Sequence, residues 1–173
     1  MRISDGATFP SEVGEIQIQS PALCVGYLGK EAIYNQSFTE DNWFKTGDMG
    51  FIDDEGYLYV KCRMSDCIIS GGENIYPVEI ENCLKKISAI EEVAVIGEAD
   101  EKWGMVSCAY LVLKKQADKP SEEYMTSFCK THLASYKVPK RFVWIEQLPK
   151  TAVGKIQKYK LINQNGCDLH EHA

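Results

Sequence analysis

Four short segments of this sequence combine glycine or proline with charged side chains in ways that could bind a nucleotide or a phosphate. They are Lys-Thr-Gly-Asp-Met-Gly at 45–50, Ser-Gly-Gly-Glu-Asn at 70–74, Tyr-Lys-Val-Pro-Lys-Arg at 136–141 and Pro-Lys-Thr-Ala-Val-Gly-Lys-Ile at 149–156. Each also has an ordinary structural explanation, so no segment decides the function when it is taken alone.

The first two segments are rich in glycine. Asp48 lies between two glycines, and its carboxylate could accept two hydrogen bonds from a ribose diol. An Asx turn that opens a strand has the same composition, and for this segment alone the turn is favoured. Gly71-Gly72 can adopt backbone angles closed to other residues. The Gly-Lys-Ser/Thr of a Walker loop is absent, so a tight turn is favoured there too.

The last two segments carry lysines. Three cations surround Pro139 beside Tyr136, an arrangement that could hold a phosphate and stack a base, although a solvated basic loop is the commoner outcome. Lys155 follows a glycine-containing loop and could stabilise charge that develops on a phosphoryl or carboxyl oxygen. The alternative is a surface lysine at the start of a helix, where its charge is slightly unfavourable. That misfit favours a functional role.

The elements that position these segments follow from hydrophobic periodicity and from the glycines and prolines. Strands are predicted at 15–19, 49–53, 57–61, 67–70, 92–97, 106–113 and 141–145. Helices are predicted at 30–37, 77–87, 121–133 and 155–162. The helix that begins at Pro77 has the clearest pattern, since Ile80, Leu84 and Ile87 share one face.

The order of the elements changes near residues 62–66. Strands dominate before this point, whereas strand, helix, strand, strand, helix, strand and helix follow after it. We therefore expect a domain boundary here and a compact α+β domain beyond it, a small mixed sheet flanked by helices.

Composition excludes several classes of function. The net charge of −6 argues against a nucleic-acid binder that works by bulk charge. No stretch approaches the roughly 20 apolar residues of a membrane span, and the start has no apolar signal region, so a cytoplasmic protein is expected. The seven cysteines form no Cys-x-x-Cys pair, which favours buried thiols over disulfides or zinc. His170-Glu171-His172 is interpreted as a frayed terminus, so no metal site is predicted.

In this order and spacing the segments resemble the adenylate-forming superfamily of acyl-CoA synthetases, luciferases and peptide-synthetase adenylation domains, from Gly14 to Leu161. The family's late N-domain motif is matched at 14–16 and 26–28.

The resemblance implies a role for each matching residue. Asp48 and Arg63 would contact the ribose and phosphate of ATP and of the acyl-adenylate, and Ser65 would be the hinge. Gly71, Gly72 and Glu73 would form the loop for thioester formation. Lys155 would bridge the substrate carboxylate and the ATP α-phosphate, and Tyr136 and Lys140 would contact the CoA nucleotide.

The resemblance also implies a domain organisation. Residues 1–62 would be the β-rich end of an N-terminal AMP-binding domain, 63–66 a hinge, 67–163 the mobile C-terminal domain and 164–173 a flexible tail. The rest of the N-terminal domain, with its phosphate loop, acyl pocket and Mg²⁺ site, would lie outside this chain, which should be inactive alone. The sequence departs from the usual pattern at Cys62, where glycine is common, at Ser65, where lysine or aspartate is common, and at Val138, which is arginine in some relatives.

The implied reaction has two steps: ATP and a carboxylic acid give an acyl-adenylate, and CoA then expels AMP. The strings at 63–77 resemble o-succinylbenzoate–CoA ligases and also fatty acid–CoA ligases, and the acid is undetermined because the acyl pocket is not in the chain. Two alternatives stay open: an adenylation domain that loads a carrier protein, and a free-standing binding module without catalysis.

Overall fold

The structure is a computed structural model that describes residues 1–4 and 12–164. Two compact units are present, the first at Met1–Ser65 and the second beginning at Asp66. The division thus falls inside the segment 63–66, whose residues Met64–Asp66 form one turn of 3-10 helix. Cys167, the terminal histidines and nearly all of the predicted tail lie outside the described residues.

The first unit is a four-stranded antiparallel sheet in the order β1-β2-β3-β4. The strands are β1 (Arg2–Ile3), β2 (Gly14–Ile18), β3 (Phe44–Ile52) and β4 (Leu58–Arg63), and helix α1 spans Glu31–Gln36. No strand was predicted before residue 15, so β1 was missed. Two residues are too few to show a period, and β1 is held instead by specific bonds, such as Arg2 Nε to Gln17 Oε1 at 2.7 Å.

Strands β3 and β4 correspond to the strands predicted at 49–53 and 57–61 and form an antiparallel hairpin, but β3 is longer than expected. Its first residue is Phe44 rather than Met49, so Asp48 lies within the strand and the predicted Asx turn is wrong. The strand accommodates Gly47 at a φ of +70° and a register shift between Met49 and Gly50, two irregularities that break the alternating pattern a strand prediction relies on.

The second unit is built on a five-stranded mixed sheet. Its strands are β5 (Ile68–Ser70), β6 (Glu73–Ile75), β7 (Ile90–Asp100), β8 (Gly104–Leu113) and β9 (Arg141–Trp144). The order is β6-β5-β8-β7, and β9 runs parallel to β8 while the other pairs are antiparallel. The helices are α2 (Pro77–Leu84), α3 (Glu122–His132) and α4 (Lys158–Gln164). The α+β class with a small mixed sheet is confirmed, whereas β6, only three residues long, was not predicted.

The long hairpin of β7 and β8 forms the centre of the second unit. Every residue from Val93 to Glu98 is buried, so the strand predicted at 92–97 is covered on both faces. One core joins α2 and α3 to the sheet and includes the predicted helix face, Ile80, Leu84 and Ile87. A second core joins Leu161 of α4 to Ala94, Ile96, Cys108 and Tyr110.

Two helix boundaries differ from the predictions. Helix α2 ends at Leu84, and Ile87 reaches the core from the turn that follows, where its N–H donates to the carbonyl of Leu84 at 3.0 Å. Helix α4 begins at Lys158 instead of residue 155. The chain at 150–156 is a loop closed by a bridge between Lys150 and Ile156, so the expectation that Lys155 starts a helix is wrong.

The cysteines behave largely as small hydrophobic residues. Cys62, Cys83, Cys108 and Cys129 are buried, whereas Cys24 is exposed. Burial raises the pKa of the Cys108 and Cys129 thiols to about 12. Among the helices described, none has the length and apolar character that a bilayer crossing requires.

Candidate active-site regions

The first candidate region lies on the β3–β4 hairpin. Asp48 and Arg63 are directly opposite one another in the antiparallel register, and Asp48 Oδ1 lies 3.0 Å from Arg63 Nε. Arg63 Nη1 also donates to the carbonyl of Thr46 at 2.9 Å. Both side chains remain accessible, with 55% of Arg63 and 32% of Asp48 exposed. The pair thus presents a carboxylate and a guanidinium side by side, which suits a ligand with both hydroxyl and phosphate groups.

The strand around Asp48 is fixed by neighbouring polar groups. Thr46 Oγ1 donates to the carbonyl of Ile16 at 2.7 Å and accepts from the N–H of Asp48 at 3.0 Å. The N–H of Gly47 donates to Glu15 Oε1 at 3.0 Å. These bonds tie the irregular stretch of β3 to β2 and so fix the backbone from which the Asp48 side chain projects.

The second region is the Gly71-Gly72 turn, which connects β5 to β6. Both glycines have positive φ, at +58° and +88°. The N–H of Gly71 donates to the carbonyl of Trp103 at 2.9 Å. A Cβ at Gly71 would lie 2.8 Å from Cε3 of that indole, whereas a Cβ at Gly72 would have no neighbour within 4 Å. Gly71 is therefore required by packing as well as by backbone conformation.

A groove of about 320 Å³ joins this turn to the basic loop. It is lined by Ser70, Gly71, Glu73, Trp103, Ser135, Tyr136 and Lys140. The structure therefore brings together two segments that lie some sixty residues apart and were singled out separately. Two half-exposed aromatic rings and one lysine at a single groove offer stacking surfaces and a cation, the chemistry that binds a nucleotide.

The three cations of the basic loop differ in their surroundings. Lys137 is paired with Glu79, and Arg141 is paired with the buried Glu98 at 2.6 Å. Glu98 raises the pKa of Arg141 further by its negative charge. Within the described residues Lys140 forms no ion pair, and it lines the groove. The sequence predicted a basic patch of three cations, but two of them are paired with glutamates in the structure. Lys140 is the cation of this loop that is left for a ligand.

Lys155 lies in a separate loop. The N–H of Lys155 donates to Thr151 Oγ1 at 3.1 Å, and Gly154 closes the turn at a φ of +84°. The lysines on either side are engaged: Lys150 pairs with Glu92, and Lys158 pairs with Glu81 at 2.7 Å. In the part of the chain that the structure describes, Lys155 has no such partner, so its ammonium group is available for an anion.

The two lysine-bearing regions of the second unit are anchored towards opposite ends of β8. Ser70, next to the glycine turn, pairs with Gly104 at the start of this strand. The Lys155 loop is tied by Lys150 to Glu92, whose register partner is Val112 near the strand's end. Eight residues of strand correspond to roughly 26 Å. The groove and the Lys155 loop are therefore separate regions of the second unit.

Ser65, the predicted hinge residue, is the last residue of the first unit.

Trp103 is the groove residue that sequence reasoning missed. It lies in the turn between β7 and β8, where Asp100 Oδ1 accepts from its N–H at 2.9 Å. The sequence did contain a signal for Trp103, a large aromatic residue in a tight turn before Gly104. A turn usually leaves such a ring exposed to solvent, which indicates a surface for a ligand or a partner segment. Val138, at the position that is arginine in some relatives, is buried in the core.

No group of His, Cys, Asp or Glu side chains that could hold a metal ion occurs within residues 1–4 and 12–164. The donor set of a Mg²⁺ site, several oxygens converging on one point, is therefore not met by these residues.

Comparison with known proteins gives consistent matches. Residues 79–155 match the AMP-binding enzyme C-terminal domain. The 2-succinylbenzoate–CoA ligase of Listeria monocytogenes is 50% identical over 91% of this chain and 34% of its own length. The long-chain-fatty-acid–CoA ligase FadD13 of Mycobacterium tuberculosis is 43% identical over 95% of this chain and 32% of its own length.

A solved structure matches as well. The o-succinylbenzoate CoA synthetase (MenE) of Bacillus subtilis, in complex with the acyl-adenylate intermediate OSB-AMP, has a TM-score of 0.84 and 43% identity, covering 92% of this chain and 32% of that one. The chain thus spans about a third of the length of the relatives that it matches.

Proposed function

Because this chain belongs to the AMP-binding enzymes and carries their C-terminal domain, we propose that it is part of an ATP-dependent acid–CoA ligase that releases AMP. In the first step a carboxylate oxygen attacks the α-phosphorus of ATP and pyrophosphate leaves. In the second step the CoA sulfur attacks the acyl carbon, AMP leaves, and the thiol proton is lost. The remaining two thirds of the enzyme would supply the acyl pocket and the Mg²⁺ site.

One observation carries the proposal: the glycine-turn groove and the Lys155 loop are anchored towards opposite ends of β8. Two chemical steps with different reactants suit two separate regions of one rigid unit. Rotation of this unit about a hinge near Ser65 would present one region in each step.

Lys155 is proposed to act in the adenylation step. A carboxylate and a triphosphate repel one another, and a cation between them lowers the barrier as charge builds on the phosphoryl oxygens. The neighbouring Lys150 and Lys158 are neutralised by Glu92 and Glu81, so Lys155 is the lysine of this loop region best placed to serve.

The groove is proposed to bind CoA in the thioester step. Trp103 and Tyr136 would stack against the adenine, and Lys140 would contact a phosphate. Gly71 and Gly72 would let the pantetheine arm pass close to the backbone, while Glu73 lines the same groove. Asp48 and Arg63 would hold the ribose and phosphate of ATP and of the acyl-adenylate.

The test uses the complete enzyme that contains this chain and separates the two half-reactions. Adenylation is measured as acid-dependent exchange of pyrophosphate with ATP, across carboxylic acids that include 2-succinylbenzoate and long-chain fatty acids. Thioester formation is measured from preformed acyl-adenylate and CoA. Lys155→Ala should remove nearly all exchange and leave thioester formation almost unchanged. Equal loss in both assays would refute the division of roles.

The same assays separate the alternatives. Pyrophosphate exchange without any response to CoA would indicate a carrier protein or another nucleophile as the acceptor. An absence of exchange with every acid would favour a binding module without catalysis.

A further inference from the structure

We infer that Glu79 is a positioning residue for CoA that acts on Tyr136 through Lys137. The inference rests on the proposed CoA-binding function of the groove. Both carboxylate oxygens of Glu79 accept hydrogen bonds from Lys137 Nζ, at 2.9 and 2.7 Å. Neither residue lines the groove.

The ion pair joins the two chain segments that form the walls of the groove. Glu79 lies in the first turn of α2, directly after β6 and the glycine turn. Lys137 ends the turn of 3-10 helix, Ser135–Lys137, that carries Tyr136. The pair therefore fixes the distance between the Gly71 wall and the Tyr136 wall from just outside the groove.

The burial of Lys137 makes this constraint strong. Only 17% of its side chain is exposed, compared with 41% for Glu79. A lysine side chain that is mostly buried loses its charge partner when the carboxylate is removed, and its ammonium group must then move towards water. Lys137 Nζ also lies 5.6 Å from the centroid of the Tyr136 ring, so such a movement would disturb the ring directly.

Tyr136 depends on this pair more than Lys140 does. The far side of the loop has its own anchors: Val138 is buried in the core, and the N–H of Lys140 donates to the carbonyl of Ser107 at 2.9 Å. On the Tyr136 side the backbone bond from Lys137 to Ala134, at 3.0 Å, is internal to the turn and does not tie it to α2.

The sign of the Glu79→Gln effect distinguishes positioning from simple electrostatics. CoA is a polyanion, so removal of a carboxylate near its site should tighten binding if only charge mattered. A free Lys137 would tighten it further by reaching a phosphate. A positioning role predicts the opposite, because the loss of the ion pair lets the Tyr136 wall move.

The experiment titrates the full 173-residue chain with CoA by calorimetry, at a temperature where circular dichroism shows every variant folded. Glu79→Gln and Lys137→Met should each raise the Kd about three- to tenfold, since a partly buried ion pair holds the wall. The exchanged pair, Glu79→Lys with Lys137→Glu, should recover part of the affinity. Glu92→Gln breaks another partly exposed glutamate–lysine pair, the one with Lys150 towards the opposite end of β8. It is the matched control and should leave the Kd unchanged.

Hydrogen exchange without ligand gives a second readout. Amides of residues 134–137 should exchange faster in Glu79→Gln, while those of α3 should keep the wild-type rate. An unchanged or lower Kd in Glu79→Gln, or unchanged exchange at 134–137, overturns the positioning role and leaves the proposed function intact. A wild-type chain that does not bind CoA overturns the groove's proposed function and this inference with it.

Discussion

Asp48 and Arg63 face each other across β3 and β4, and one oxygen of the carboxylate is held 3.0 Å from Nε of the guanidinium. The pair is fixed by strand register rather than by a flexible loop. Its partial exposure limits its share of the folding free energy to about 1 kcal/mol or less. A cross-strand pair that adds little stability but points two opposite charges at solvent is well suited to a ligand.

Asp48→Asn in the complete enzyme should raise the KM for ATP by roughly tenfold or more, because a hydrogen bond to a charged acceptor is worth about 1.5–3 kcal/mol. The free energy of unfolding should change by less than about 1 kcal/mol. Asp41→Asn is the control, since it breaks the comparable ion pair with Arg2 in the same unit. An equal rise in KM for both variants would show that Asp48 acts only through folding.

Gly71→Ala should damage thioester formation while sparing pyrophosphate exchange. The new Cβ would meet Trp103 at 2.8 Å in addition to the strain of a positive φ. Gly72→Ala carries the strain alone, about 1–2 kcal/mol, because nothing lies within 4 Å of its Cβ. The rate of thioester formation should therefore be much lower in Gly71→Ala than in Gly72→Ala, as measured by kinetics of the two half-reactions. The same loss in both variants would mean that contact with the indole is irrelevant.

Glu81→Gln should destabilise the second unit by about 3 kcal/mol, the typical effect of breaking a mostly buried ion pair. Glu81 Oε1 accepts a hydrogen bond from the N–H of Val95 at 2.9 Å and forms an ion pair with Lys158 Nζ at 2.7 Å, so it connects α2, β7 and α4. Urea unfolding measures the change. Glu92→Gln, which breaks the more exposed pair with Lys150, should cost less than about 1 kcal/mol. Similar costs for both would refute the role of burial.

Alkaline pH should destabilise the second unit through its buried thiols. The pKa of Cys129 is raised by burial from 9.0 to about 12, so between these values the unfolded chain has lost a proton that the folded chain retains. Stability is complete below pH 9 and falls as the pH rises, by about 1.4 kcal/mol per pH unit for each such thiol.

Cys129→Ala should make the free energy of unfolding fall less steeply with pH, by the contribution of about one proton. Urea titrations between pH 9 and 11 measure this slope. Cys24→Ala, at an exposed position, should retain the wild-type slope. An unchanged slope in Cys129→Ala would show that the thiol ionises alike in both states.

Regular elements were predictable where burial imposed a clear apolar pattern. The face of α2 follows from apolar residues at helical spacing, and the strands β7 and β8, buried on both faces, follow from continuous apolar runs. β1 and β6 were not, since strands of two and three residues are too short to show a period. Each is defined by its pairing instead: β1 with β2, and β6 with β5 across the Gly71-Gly72 turn.

The candidate site was predictable in its residues but less so in its arrangement. Family motifs named Gly71, Tyr136 and Lys140, and the structure places all three at one groove. Trp103 was missed because its contact with Gly71 is made only when two turns meet in the fold. The individual states of Lys137 and Lys140 were also hidden, since the glutamate that neutralises Lys137 is 58 residues away.

The span of β8 has a consequence for protein engineering. Substitutions separated by more than about 10 Å and without shared partners usually have additive effects. The Gly104 end and the Val112 end of this strand exceed that separation. Sequence changes around Trp103 and around Thr151 should therefore combine without epistasis, so that acceptor preference and activation chemistry could be evolved in separate libraries and merged afterwards.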